Sequence, residues 1–134
     1  MPEKWRDTWR RGVAPQLSTR GLEALRQALV SDDTRLLQGV TTSPVGLFRL
    51  RENVCEGACA LGFCGWQGDG LETVEQVEDY FARLRDGIGE EMGDPNAIRH
   101  FTAFWDDAEE REYVRGELLA EVQRTLSERE TVHA

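Results

Sequence analysis

Apolar positions recur along most of this chain at the three- and four-residue spacing of amphipathic helices, which predicts a helical protein. Trp5, Trp9 and Val13 follow at i, i+4 and i+8, behind a Pro2 that suits a first helical turn and ahead of a Pro15 that ends the run. Arg6, Arg10 and Arg11 occupy the other flank. Ser18 is a natural N-cap for a second helix, in which Leu22, Leu25 and Leu29 fall within about 60° of one another. Ser31, Asp32 and Asp33 stop it and cap a short turn through Leu36 and Leu37 that Gly39 closes as a C′ residue.

Residues 40–51 are the least regular stretch, with a short extended segment expected around residues 46–51. Asn53 is then placed to cap a helix over 54–64, whose Gly57, Ala58, Ala60 and Gly62 allow close approach of neighbouring helices. Glycine costs such a helix about 0.5–1 kcal/mol per site relative to alanine, so burial must offset it and the segment belongs at the centre. A turn over 65–70 follows, and Asp69 with Glu72, or Thr73 with Gln76, forms a capping box for the next helix.

That helix, over 71–88, carries Val74, Val77, Phe81, Leu84 and Ile88 on a seam of about 80°. Gly87, Gly89 and Gly93 fray or kink its end before an Asp94-Pro95 cap. The next helix gathers Ile98, Phe101, Phe104 and Trp105 within about 120°, the heaviest aromatic load in the chain. Asp106 with Glu109 restarts a last helix over 107–128, laddered by Val114, Leu118, Val122 and Leu126. The sum is an all-α compact bundle of five to six helices in a single domain over 1–134, with 129–134 as a frayed tail.

Composition adds a surface and a compartment. The formal charge of −9 is unevenly spread: residues 1–51 hold nine basic and five acidic side chains, residues 52–134 seven basic and twenty acidic. A net negative molecule is repelled by phosphate backbones and anionic lipid, so nucleic acid is a disfavoured partner and a membrane is not expected. Lys4 is the only lysine among sixteen basic residues, a bias expected of a GC-rich bacterial genome. The N-terminus lacks the apolar stretch of a signal peptide, and no window approaches the roughly 18 apolar residues of a membrane span, so the expected location is the cytoplasm. Three cysteines, an odd number within ten residues, suit reduced thiols better than a disulfide framework.

Candidate chemistry concentrates in residues 55–70, which hold all three cysteines and five glycines. On a continuous helix Cys55 and Cys59 lie about 40° apart and Cys64 about 140° round from Cys59, so the three sulfurs do not converge. A break at Gly62 would let Cys55, Cys59, Cys64 and His100 form a Cys3His zinc set, although the cysteine spacing is not that of structural zinc sites. As small buried hydrophobes the same cysteines need no metal. His100 is also the one base available to a nucleophilic thiol in the structured part, and Glu52 and Glu56 beside Cys55 disfavour its thiolate. Residues 65–70 lack the lysine and hydroxyl of a phosphate loop and the ligand order of a calcium loop. Neighbouring acids such as Asp106-Asp107 and Glu90-Glu91 are expected on a solvated surface in a chain with twenty-five acids.

Trp5, Arg6, Trp9 and Arg10 make the other candidate, because indoles interleaved with guanidinium groups can stack on bases and pair with phosphates. The plainer reading is a terminal helix docked on its own domain or on a partner, with its arginines reaching outward. No residue set is assigned as catalytic and no cofactor is implied. The expected function is that of a non-catalytic cytosolic protein-interaction module or small regulatory subunit whose partner is another protein. A thiol or zinc protein using the cysteines with His100 is the alternative, and a nucleic-acid-associated factor working through the basic N-terminal helix is a third.

Overall fold

A computed structural model describes residues 4–43 and 53–133. The fold is mostly helical, with six α-helices and a small three-stranded sheet among the described residues. The short extended segment expected around 46–51 lies outside those residues, as does Pro2.

Helix α1 (Lys4–Thr8) runs on into a π-helical turn (Trp9–Val13) and a 3-10 turn (Ala14–Gln16). Trp5, Trp9 and Val13 are all buried, so the apolar flank read from their spacing is the inner one. Ser18 caps α2 (Thr19–Ser31) by accepting the Gly21 N–H at 2.9 Å, and Leu22, Leu25 and Leu29 form its buried stripe. Asp32, in the left-handed region at φ 52°, ends it.

Between Leu36 and Cys64 the structure departs furthest from what the spacing predicts. Leu36–Leu37 is not a helical turn but strand β1, although Gly39 does adopt a positive φ of 84°. The helix expected over 54–64 begins only at Ala60. Gly57–Cys59 instead forms β3, the middle strand of a sheet ordered β1-β3-β2, with β2 at Thr42–Ser43. β1 runs parallel to β3 with Leu36 opposite Ala58, and β2 antiparallel with Thr42 opposite Ala58. The physical reason is non-local: the Arg35 carbonyl takes the Ala58 N–H at 3.0 Å and the Thr41 carbonyl takes the Cys59 N–H at 2.9 Å. Partners far along the chain satisfy this backbone, and glycine and alanine are small enough for a strand buried on both sides.

Cys59, not Asn53, is the N-cap of α3 (Ala60–Phe63), its sulfur accepting the Gly62 N–H at 3.4 Å. The turn expected over 65–70 is also displaced, because α3 continues as a second π-helical turn, Cys64–Gly68. Residues 60–65 are buried throughout, so this segment holds the central place expected of it. Its contact with α2 is backbone to backbone. A Cβ on Gly68 would lie 2.6 Å from the Gly21 nitrogen and 2.8 Å from the Arg20 carbonyl oxygen, distances no side chain can occupy.

Thr73 and Gln76 complete the capping box of α4 (Val74–Met92), which reaches Gly93 at φ 66° rather than fraying at Gly87. In α5 (Ile98–Asp106), Ile98, Phe101 and Trp105 are buried as the spacing predicts. Asp94 does not cap it directly but accepts the Asn96 N–H in the preceding turn. Helix α6 (Arg111–His133) buries Val114, Leu118, Val122 and Leu126. Of the tail expected to fray, Arg129 to His133 is helical, with Arg129 donating to the Ala14 and Leu17 carbonyls, both at 2.8 Å. No helix among the described residues is long and apolar enough to cross a membrane.

Candidate functional site

The cysteine segment is a packing element in this structure. Cys55 lies on the extended stretch before β3, and its thiol donates to the Gly57 carbonyl at 3.2 Å. Cys59 ends β3 and caps α3, while the Cys64 thiol donates to the Ala60 carbonyl at 3.5 Å. All three are free and buried. Burial pushes the Cys59 thiol up to about 12 and moves Cys55 and Cys64 upward as well.

His100 sits elsewhere. It lines a surface cleft with Lys4, Asp7, Met92 and Asp94, and no cysteine borders that cleft. Among the described residues no three His, Cys, Asp or Glu side chains stand where they could share a metal ion, so the set of Cys55, Cys59, Cys64 and His100 is not assembled. One reason is the strand Gly57–Cys59: extended backbone rises about 3.3 Å per residue against about 1.5 Å in a helix, so Cys55 is carried further from Cys59 than helical spacing would place it. Beside this segment the Tyr80 hydroxyl is buried without a hydrogen-bond partner among the described residues, and the Tyr80 ring lies against the flank of Gly65.

The N-terminal residues are likewise turned inward. Trp5 stacks on Phe104 with ring centroids 3.7 Å apart and planes 6° from parallel, and Trp9 packs on Phe101 at 5.7 Å. The Trp9 indole N–H donates to Thr125 Oγ1 at 3.1 Å. With Trp5 5% and Trp9 0% exposed, neither ring presents a face for a base or a partner to stack on. The two tryptophans are thus packed inside, while Arg6 and the exposed Arg10 are engaged by carboxylates of α6.

Its electrostatics join the basic N-terminal part of the chain to the acidic last helix. Arg6 donates to Glu117 at 2.8 Å and to Glu121 at 3.0 Å, and Arg10 grips Glu121 through Nε and Nη2, both at 2.9 Å. Glu121 is one of the few buried polar residues, at 3% exposure. The Arg10 hydrogen bonds hold its carboxyl below the usual range, and the Arg6 hydrogen bond does the same for Glu117. Sequence reasoning misses Glu117 and Glu121 as partners. The signal is present in a matched spacing, since Arg6 and Arg10 lie four residues apart on one helical run and Glu117 and Glu121 lie four apart on another.

The acids of α4 are different. Asp79, Glu90 and Glu91 are exposed and have no ion-pair partner among the described residues, whereas Asp86 is paired with Arg85 at 3.4 Å. No family model, curated protein or solved structure matches the chain. The functional reading therefore rests on geometry and charge.

Proposed function

We propose that the chain is a one-domain, non-catalytic interaction module of the cytoplasm, a small regulatory or accessory subunit that meets a basic surface of another protein through the outer face of α4. The observation that supports this is the exposed carboxylates of Asp79, Glu90 and Glu91, which have no ion-pair partner among the described residues, on a molecule whose other acidic helix pairs Glu117 and Glu121 with Arg6 and Arg10. With six acids against Arg83 and Arg85, α4 remains net negative even though the exposed Arg83 lies on the side of Asp79 and Glu90, and such a field steers and orients a complementary partner. Three buried free thiols suit a reducing compartment, and their raised ionisation weighs against thiol or zinc chemistry. Occupation of Arg6 and Arg10 by carboxylates weighs against phosphate binding through the N-terminal helix.

The test is affinity capture from native-host extract with wild type and with Glu90→Lys/Glu91→Lys. Lysine near the C-terminus of α4 complements the helix dipole, so the variant should keep its circular dichroism and melting temperature. Partners captured by wild type should be lost with the variant. Identical captures from both, or none above an unrelated acidic protein of similar size, would overturn the reading.

A further inference from the structure

Away from the acidic face, three arginines converge on one half-open cavity of about 310 Å³. Arg10 approaches from the first π-helical turn, and Arg124 and Arg129 from α6. Ala14 and Pro15 provide an apolar floor, and Thr125 and Glu128 complete the wall. Each arginine has a role in the fold, Arg10 on Glu121, Arg124 on Glu128 and Arg129 on the Ala14 and Leu17 carbonyls, but none spends all of its donors there.

The charges do not cancel locally. Arg10 is paired with Glu121 and Arg124 with Glu128 at 3.1 Å, but Arg129 has no carboxylate partner among the described residues. It is held by neutral groups instead, the carbonyls of Ala14 and Leu17 and the Thr19 hydroxyl at 3.1 Å. Three cations and one carboxylate, Glu128, line the cavity, and Glu121, outside the lining, pairs with Arg10 and Arg6 while Glu117 takes Arg6, so four arginines meet three carboxylates and one positive charge is in surplus. Donors also remain: Arg10 Nη1, Arg124 Nε and Nη1 and Arg129 Nε have no protein acceptor among the described residues.

We propose that this cavity binds a small organic monocarboxylate, its carboxylate held by Arg124 and Arg129 and its carbon body resting on Ala14 and Pro15. One surplus charge matches a monoanion better than a phosphate dianion, and the free Nε–H groups of Arg124 and Arg129 can each donate a charge-assisted hydrogen bond to one carboxylate oxygen. The cavity lies at the small end of the roughly 300–1,000 Å³ range of ligand pockets, which suits an acid with one ring or a short branched chain. This site is separate from the α4 face, and its occupancy does not depend on the partner proposed there.

The test is a ¹⁵N–¹H titration of the full chain at constant ionic strength with benzoate, with benzamide as the neutral analogue, and with inorganic phosphate. Benzoate should cause saturable shifts at the Ala14, Thr125 and Arg129 amides. Benzamide and phosphate should each bind at least about tenfold more weakly, the worth of one charge-assisted contact. Arg124→Gln is the variant to use, because Arg129 anchors two backbone carbonyls and its loss would disturb the fold. It should weaken benzoate about tenfold, while Arg85→Gln on α4 should leave binding unchanged. Equal binding of benzamide, tighter binding of phosphate, indifference to Arg124→Gln, or no saturable shift in the millimolar range would each overturn the proposal.

Discussion

The run from Trp5 to Pro15 and the segment from Cys55 to Gly70 are built alike and held differently. Each passes from helix or strand into a buried π-helical turn, and each carries residues that suggest chemistry from sequence. Around the cysteines the hold is one of shape: strand pairing, thiols donating to carbonyls, and the Gly68 backbone lying directly on Gly21. Around the tryptophans it is one of polarity, with Arg6 and Arg10 closed on Glu121 and the Trp9 indole bonded to Thr125. Reactive-looking side chains serve cohesion in both places, but the two regions should fail under opposite conditions.

The largest effect should come from breaking the shape-held region. Gly68→Ala puts a methyl group into the Gly21 backbone, and since neither segment can yield cheaply, a loss of roughly 3 kcal/mol or more is expected in urea denaturation. An unchanged midpoint would mean that the two segments do not touch there.

The polar joint is best probed with pH. Glu121 and Glu117 ionise below their ordinary value of 4.5 in the folded protein, so their stabilisation is complete above that pH and disappears as pH falls through the depressed folded values. Glu121→Gln should cost about 2 kcal/mol near neutrality, a figure discounted because the arginines remain partly in water, and should flatten the acid limb of a stability profile. The cysteine region works in the other direction. Cys59 stays protonated to about 12 when folded but ionises from about 9 when unfolded, so stability should fall as pH rises across that interval. Cys59→Ala should lessen the slope of the alkaline limb, to which the buried Cys55 and Cys64 thiols still contribute, and leave the acid limb alone; identical profiles for the two variants would erase the distinction between the regions.

The smallest change lies outside both. Gly116 is exposed on α6, and an alanine methyl group there would have nothing within 4 Å, so Gly116→Ala should stabilise by about 0.5–1 kcal/mol, a rise of a few degrees in melting temperature. A loss of stability would point to a contact on that face.

Periodicity is a reliable guide wherever a helix buries one continuous stripe. Leu22, Leu25 and Leu29, the α4 residues Val74, Val77, Leu84 and Ile88, the Phe101 and Trp105 face and the Val114 to Leu126 ladder all lie inside, with Phe81 half-buried at the seam's edge, because a 3.6-residue repeat of apolar side chains has one low-energy orientation. The Thr73 and Gln76 capping box is legible for the same reason, being complete within four residues. Periodicity fails at Leu36–Leu37 and Gly57–Cys59, where two or three residues are too few to establish a period and the hydrogen-bond partners lie far along the chain. The surroundings of the candidate residues are no more legible. A tryptophan beside an arginine has the same local pattern whether it faces solvent or Phe104, and three cysteines are equally spaced in sequence whether helix or strand sets their directions.

What this sequence determined by itself was its helical character, the inward faces of its long helices, its acidity and the division of charge between its two parts, since each is a property of composition or of contacts within a few residues. Only the tertiary structure decided that Gly57–Cys59 is a strand, that Arg6 and Arg10 close on Glu121, and that Arg124 and Arg129 meet Arg10 around one cavity. Those outcomes depend on groups far apart in the chain, and their energies exist only once packing has removed water and brought them together.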